Sequence, residues 1–306
     1  MTEPSGATCG PGVTPEEPSR RESGLIRDTW RALRRSTSGQ IGMILILLFC
    51  IVAVCAPALA PKDPLAQSVV NRLRPPSFAN LLGTDELGRD VLTRLIFGSR
   101  LSLGVGVIAV LIALLLGGLV GLTAGFQRGL LDNVLMRLMD MMMAFPSTLL
   151  AIAIVAFRGP GLFNTLLAIG VIRVPGFARL TRSVVLGIRE QEFVSAAKCM
   201  GGGTIRIMFR HVLPNSISPL IVQGTLGIGG AIVEAAGLGF LGLGAQPPAA
   251  EWGTMLSSSY VYILRAPWAM FGPAFAIVLA VLAFNLFGDA LRDALDPHMR
   301  SSSRGR

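Results

Sequence analysis

Apolar runs of membrane-crossing length alternate with short basic stretches along this chain. Ile41 to Ala60 stays apolar for twenty residues, enough to cross about 30 Å of hydrocarbon at about 1.5 Å per residue. Leu101–Phe126, Val134–Phe157, Ser216–Leu243 and Ala269–Phe287 read as further spans, with Pro146 kinking the third of the six. Leu162–Ile172 is the weakest apolar run, because Arg173, Pro175, Arg179 and Arg182 follow it closely. It is kept as the fourth span by parity: without it Arg179, Arg182, Arg189, Arg206 and Arg210 fall on the outer side, against the positive-inside rule. The expected fold is therefore all-α, with six transmembrane helices. Within the second span Gly117, Gly121 and Gly125 recur on one face, continued by Ala113, which predicts backbone-to-backbone packing on a neighbouring helix.

A polar island at 189–214 interrupts the apolar pattern before the fifth span. Phe193, Ala196, Ala197 and Met200 fall at i, i+3, i+4 and i+7, one face of a helix. Ile205, Met208, Phe209 and Val212 repeat the spacing, predicting a second short helix. Gly201 suits the end of the first, Thr204 a cap for the second, and Pro214 its end. Two alanines on the first face would let a protein partner approach closely, with Glu192, Ser195 and Lys198 beside them. The competing reading is an amphipathic helix lying on lipid.

Composition bears out the membrane class. Of 306 residues 52% are hydrophobic and 15% charged, against about a quarter charged in soluble domains, and the mean hydropathy is +0.62. The net charge of +9 sits in clusters between apolar runs, so it marks membrane orientation rather than nucleic-acid binding. Cys9, Cys50, Cys55 and Cys199 form no C-x-x-C, and His211 and His298 are the only histidines, so no metal site is indicated. The lysines are Lys62 and Lys198, neither in a P-loop. ATP-driven work must come from another polypeptide, and no cofactor is expected on this chain.

Residues 1–36 read as a tail, first Pro- and Gly-rich and disordered, then a basic amphipathic helix from Leu25 to Arg35 with Leu25, Trp30 and Leu33 as apolar members. Residues 37–297 form the membrane domain, and 298–306 a basic tail. Ala58-Leu59-Ala60 resembles a signal cleavage site, but Pro61 after it argues against cleavage. In the outer loop 61–100, Asp85, Glu86, Arg89, Asp90 and Arg94 alternate in sign, which reads as a solvated stretch or as a surface for an external partner. Glu234 lies inside the fifth span. An intramembrane carboxylate costs about 2.5–3.5 kcal/mol on insertion scales, so it is a functional candidate unless it sits at the wet outer mouth. Trp252, Tyr260, Tyr262 and Trp268 suit an interfacial belt or the rim of a path. Met136, Met139, Met141, Met142 and Met143 read as adaptable packing.

The island resembles the cytoplasmic EAA loop of permease subunits in binding-protein-dependent ABC importers. Ala196-Ala197, Gly201 and Leu213-Pro214 match the pattern, while Ser195 stands where Glu is usual and His211 where Ile is usual. The run from His211 to Asn215, the strings Gly83-Thr84-Asp85 and Gly88-Arg89-Asp90, the segment EAAGLGFLGLG from Glu234 and the ending NLFGDALRDALDP from Asn285 resemble the dipeptide/oligopeptide/nickel branch. The resemblance implies a type I importer permease moving di- or oligopeptides across the inner membrane, with both termini cytoplasmic. It implies four kinds of partner: a second homologous permease, two ATPase subunits carrying ATP and Mg, an extracytoplasmic binding protein, and the peptide itself. It assigns coupling to the ATPase to Glu192, Phe193, Ser195, Ala196, Ala197, Lys198, Met200, Gly201, Leu213 and Pro214. Candidates for the outer partner or gate are Asp85, Arg89, Asp90, Glu234 and Trp252. A nickel-chelate permease is the alternative cargo reading. An autonomous secondary transporter is a weaker one, since it needs several coupling groups where Glu234 stands alone.

Overall fold

The computed structural model describes residues 27 and 29–295. The readings for the disordered tail, for Leu25 and for 298–306 lie outside the described residues. Helices dominate, and among the described residues extended backbone pairs only at two isolated bridges, Ser77 with Asn80 and Thr84 with Asp90. The principal elements are α1 (Thr37–Val54), α2 (Val91–Gln127), α3 (Gly129–Met143), α4 (Ser147–Arg158), α5 (Leu162–Arg189), α6 (Glu192–Cys199), α7 (Thr204–Phe240), α8 (Trp252–Tyr260) and α9 (Pro267–Leu295). Five are long and apolar enough to cross a membrane, and six spans result when α3 and α4 are taken as one broken span.

The glycine stripe of α2 packs on α5. A Cβ at Gly117 would stand 2.6 Å from the Val174 carbonyl and 2.7 Å from Phe177 Cβ, and one at Gly125 3.0 Å from the Arg182 carbonyl. Gly121 fits against the Ala178 carbonyl and Thr181 in the same way. Ala113 and Ala178 are fully buried in the seam. Close approach of this kind replaces the hydrophobic drive that lipid does not supply. α1 is joined to α9 by the same device, with Gly42 against the Phe287 amide and Gly39 against Ala290.

Three sequence expectations are corrected. The third span is broken: α3 ends at Met143, α4 begins at Ser147, and their axes differ by 89°. Pro146 lacks the N–H that would carry the ladder across Ala144 and Phe145. The fourth span extends far beyond its apolar run to Arg189, because Arg179 and Arg182 find acidic partners on α3. The second island helix is not separate: Thr204 continues through a π turn at Met208–Val212 straight into the fifth span. Pro214 therefore lies inside a continuous helix rather than ending one, directly after the π turn that loosens the ladder where proline has no N–H to donate. Gly203, not Thr204, occupies the N-cap, and no side-chain cap bond forms.

Residues 29–35 are helical, and Leu33 is buried against Val222, Ala290, Leu291 and Ala294. This segment thus docks on the bundle by Leu33, with Trp30 exposed beneath Arg34.

Gly118 gives an internal control for the helix seam, since a Cβ there meets nothing within 4 Å. Gly121→Ala is expected to destabilise the chain by about 1–3 kcal/mol through overpacking, and Gly118→Ala to leave it unchanged. Thermal unfolding of the two purified variants in one detergent measures the difference.

Candidate functional site

At one end of the bundle, α6 projects as a short amphipathic helix between α5 and α7. Its end is fixed by a paired cap: Gly201 has φ +79°, its N–H donates to the Lys198 carbonyl at 2.9 Å, and the Gly202 N–H donates to the Ala197 carbonyl at 3.0 Å. This is the Schellman arrangement, and glycine at Gly201 adopts it without steric penalty. Glu192 lies in the first turn and Lys198 in the last, each complementing the helix dipole.

The buried side of α6 is Val194 and Ala197. They join Leu122 and Phe126 of α2, Val185 and Ile188 of α5, and Ile207, Met208 and Val212 of α7 in one apolar cluster, with Leu213 packed against it. The expected outward face is thus corrected at Ala197, which turns into the chain's own core. A helix lying on its parent bundle must bury one stripe, and i, i+3 from Val194 supplies it. Phe193, Ala196 and Met200 remain exposed, as do Glu192, Ser195, Lys198, Cys199, Gly201 and Pro214. Met200 and Ile205 are 82% and 73% accessible, and Phe209 is exposed nearby. An apolar patch of this kind is a feature of protein contact surfaces.

Ionic contacts brace the same end. Arg128 and Glu190 pair at 2.5 Å, and Arg189 donates to the Phe126 carbonyl. The Arg189 guanidinium and the Lys198 ammonium lie 5.7 and 5.8 Å from the Phe126 ring centre. Arg182 grips Asp132 with two bonds of 2.6 and 2.7 Å, and Arg179 meets Asp140 at 2.6 Å. The α3–α5 contact is thereby charged where the α2–α5 contact is dry.

Midway along the bundle, the 89° break between α3 and α4 opens a cleft of about 420 Å³, lined by Met142, Met143, Phe145, Gln223 and Arg173 among others. Two of the methionines read as packing therefore face this space, while Met139 is buried. Arg173 Nε donates to Glu234 Oε2 at 3.0 Å, and both side chains keep partial exposure. Glu234 is thus paired, with a partner on α5 that the sequence reading did not assign. Gly230 leaves room for the guanidinium: a Cβ there would lie 2.6 Å from Arg173 Nη2.

At the opposite end the outer-partner candidates are corrected. Asp85, Arg89, Asp90 and Arg94 are each 5% accessible. Asp85 accepts from the Leu87 and Arg89 amides and from Arg89 Nε at 2.7 Å, and lies 3.5 Å from Arg94 Nε. Asp90 caps α2 through the Thr93 amide and hydroxyl, both at 2.8 Å. Asp85 thus pairs with Arg89 and Arg94 inside the loop and Asp90 is engaged by the helix cap, so these four side chains turn inward. Trp252 is likewise buried, against Phe49, with its indole N–H donating to the Leu95 carbonyl. It belongs to the core rather than to an interfacial belt. Its neighbour Glu251, not singled out from the sequence, caps α8 through the Gly253 and Thr254 amides and accepts from the Ser102 hydroxyl. Burial pushes its carboxyl above the usual range, against the pull of those donors.

Such a bundle, with a helix seated on one end, has the architecture of a polytopic permease, and comparison with known proteins leads to the same class. Residues 113–301 match the family described as binding-protein-dependent transport system inner membrane component, and residues 24–76 the N-terminal TM domain of oligopeptide transport permease C. The chain belongs to this family of permease components. It is 49% identical to the dipeptide transport system permease protein DppC of Alkalihalophilus pseudofirmus, over 96% of this chain and 97% of that one. It is 48% identical to the di/tripeptide permease DppC of Pseudomonas aeruginosa, over 94% and 97%, and 42% identical to the glutathione permease GsiD of Pectobacterium atrosepticum, over 90% and 92%. An inward-facing structure of the MetNI methionine ABC transporter superposes with a TM-score of 0.55 at 19% identity, covering 66% of this chain and 96% of that chain, a likeness of fold.

The two faces of α6 separate by mutation. Ala197→Leu is expected to unseat the helix, raising the rate of limited proteolysis at 189–203 several-fold. Ala196→Leu, one position away and exposed, leaves that rate unchanged. Timed digestion of the purified chains checks both.

Proposed function

We propose that this chain is one permease subunit of an ATP-driven importer of di- and oligopeptides, and that α6 is the coupling helix by which separate ATPase subunits move it. The observation that carries this reading is the two-sidedness of α6: Val194 and Ala197 lock it to α2, α5 and α7, and Phe193, Ala196 and Met200 are left for another protein. Closure of an ATPase pair on those residues would displace α6 together with α5 and α7, a rigid-body shift between two states. Energy enters through the differential affinity of the ATPase for the two arrangements. ATP and Mg are handled by those partners, and this chain holds no cofactor.

A second, homologous permease completes the pore, and an extracytoplasmic binding protein delivers cargo. Relatives named for dipeptide, di/tripeptide and glutathione transport favour a peptide over a nickel chelate. The N-terminal helical segment packs against the end of α9 and against Val222 and Leu226 of α7, so the two segments lie together, which fits both termini in the cytoplasm of a cell whose inner membrane the chain spans.

Cys199 is exposed on α6, so docking is open to direct measurement. In a background where Cys9, Cys50 and Cys55 are serine, an impermeant maleimide is expected to label Cys199 in inverted vesicles stripped of ATPase, and added ATPase to protect it. Labelling from the outside of intact cells would contradict the topology. Phe193→Ala with Met200→Ala is expected to weaken ATPase binding by about tenfold or more, the effect of removing large apolar anchors from an interface.

A further inference from the structure

Arg173 of the Arg173–Glu234 pair lines a cleft, Glu234 lies partly exposed beside it, and neither the coupling reading nor the packing of the bundle uses the pair. Arg173 lies about 16 Å from the start of α5 and Glu234 about 9 Å from the end of α7, well within a hydrocarbon thickness of about 30 Å. A purely structural link between α5 and α7 needs no charge at this depth, where apolar residues of similar volume serve as well. The glycine seam already fixes α5. Yet α7 carries Gly230 beneath the guanidinium, where a Cβ would lie 2.6 Å from Nη2. Of the donors of Arg173, Nε bonds Glu234, while Nη1 and Nη2 find no acceptor among the described residues. The guanidinium and Glu234 keep 19% and 24% side-chain exposure, and Arg173 lines the cleft beside Met142, Met143, Phe145 and Gln223.

We propose that Arg173 and Glu234 form a charge-paired subsite for a zwitterion: the free carboxylate of a short peptide on Nη1 and Nη2 of Arg173, its ammonium on Glu234. The inference rests on the peptide reading of the previous subsection. A planar guanidinium presents two parallel N–H groups to a carboxylate. The released Glu234 takes the opposite charge of the same ligand, so neither group is left unpaired when the protein's own pair opens. The methionines and Phe145 offer polarisable, deformable walls that accept many side chains. Selection of the peptide termini with tolerance of the side chains follows from that arrangement.

The test uses the assembled complex in proteoliposomes, with both permeases, both ATPases and the binding protein loaded with labelled dialanine. Peptides imported per ATP hydrolysed are measured for wild type, Arg173→Gln, Arg173→Lys and Glu234→Gln. Arg173→Gln is expected to lower that ratio about tenfold, to keep binding-protein-stimulated ATP hydrolysis, and to be partly rescued in the lysine variant. Glu234→Gln is expected to lower the ratio as well. The apolar pair, Arg173→Met with Glu234→Leu, separates recognition from tethering. It joins α5 to α7 without charge, so recovery of the wild-type ratio would make the pair a tether and overturn the proposal, while continued loss supports the subsite. Wild-type import alongside an unchanged ratio in Arg173→Gln overturns the subsite alone. A wild-type complex that imports no peptide overturns the peptide reading, and the subsite falls with it.

Discussion

The structure depends first on the backbone contact between α2 and α5. Where Gly117, Gly121 and Gly125 meet Val174, Ala178 and Arg182, no side chain separates the two helices. In lipid there is no hydrophobic gain in bringing apolar helices together, so van der Waals contact at short range must hold them. That seam fixes the height and rotation of α5. α5 in turn carries Arg173 at the cleft, Arg179 and Arg182 on the α3 side, and the entry to α6. A methyl group in the seam would therefore disturb features far apart along the chain.

The second constraint is the seating of α6. It is held by a shared apolar cluster drawn from four helices, by a glycine end with two backbone bonds, and by Arg189 and Arg128 at its approach. α7 leaves the island without a break, its ladder loosened by one π turn before Pro214. A helix joined stiffly at both ends is suited to pass displacement into the bundle, whereas one floating on lipid would slip. In the proposed mechanism this replaces any need for an ionisable coupling group inside the membrane.

Much of this was legible in the order of apolar and polar residues, because the membrane imposes length and backbone satisfaction on every span. The glycine spacing in α2 announced its contact, and Gly201 announced the end of α6, since both depend on local chemistry. What was missed depends on distant partners. The length of α5 is hidden from hydropathy because Asp132 and Asp140, on another helix, neutralise its arginines. Alternating charges from Asp85 to Arg94 read the same whether they face water or one another, and only the fold turns them inward. Ala197 and Ala196 have the same side chain, so periodicity could not tell which alanine meets the core. Arg173 and Glu234 lie 61 positions apart. The available signal was one intramembrane cation and one intramembrane anion on spans that could be neighbours.

The central claim is that this bundle does no work until another protein's nucleotide cycle moves α6. Uptake of labelled peptide against its gradient, in liposomes holding the two permeases with and without the ATPase subunits, measures it most directly. Accumulation is expected only with ATPase and ATP present, and to be lost when Phe193 and Met200 are both alanine. Uphill accumulation by the permeases alone, driven by an ion gradient, would contradict the claim.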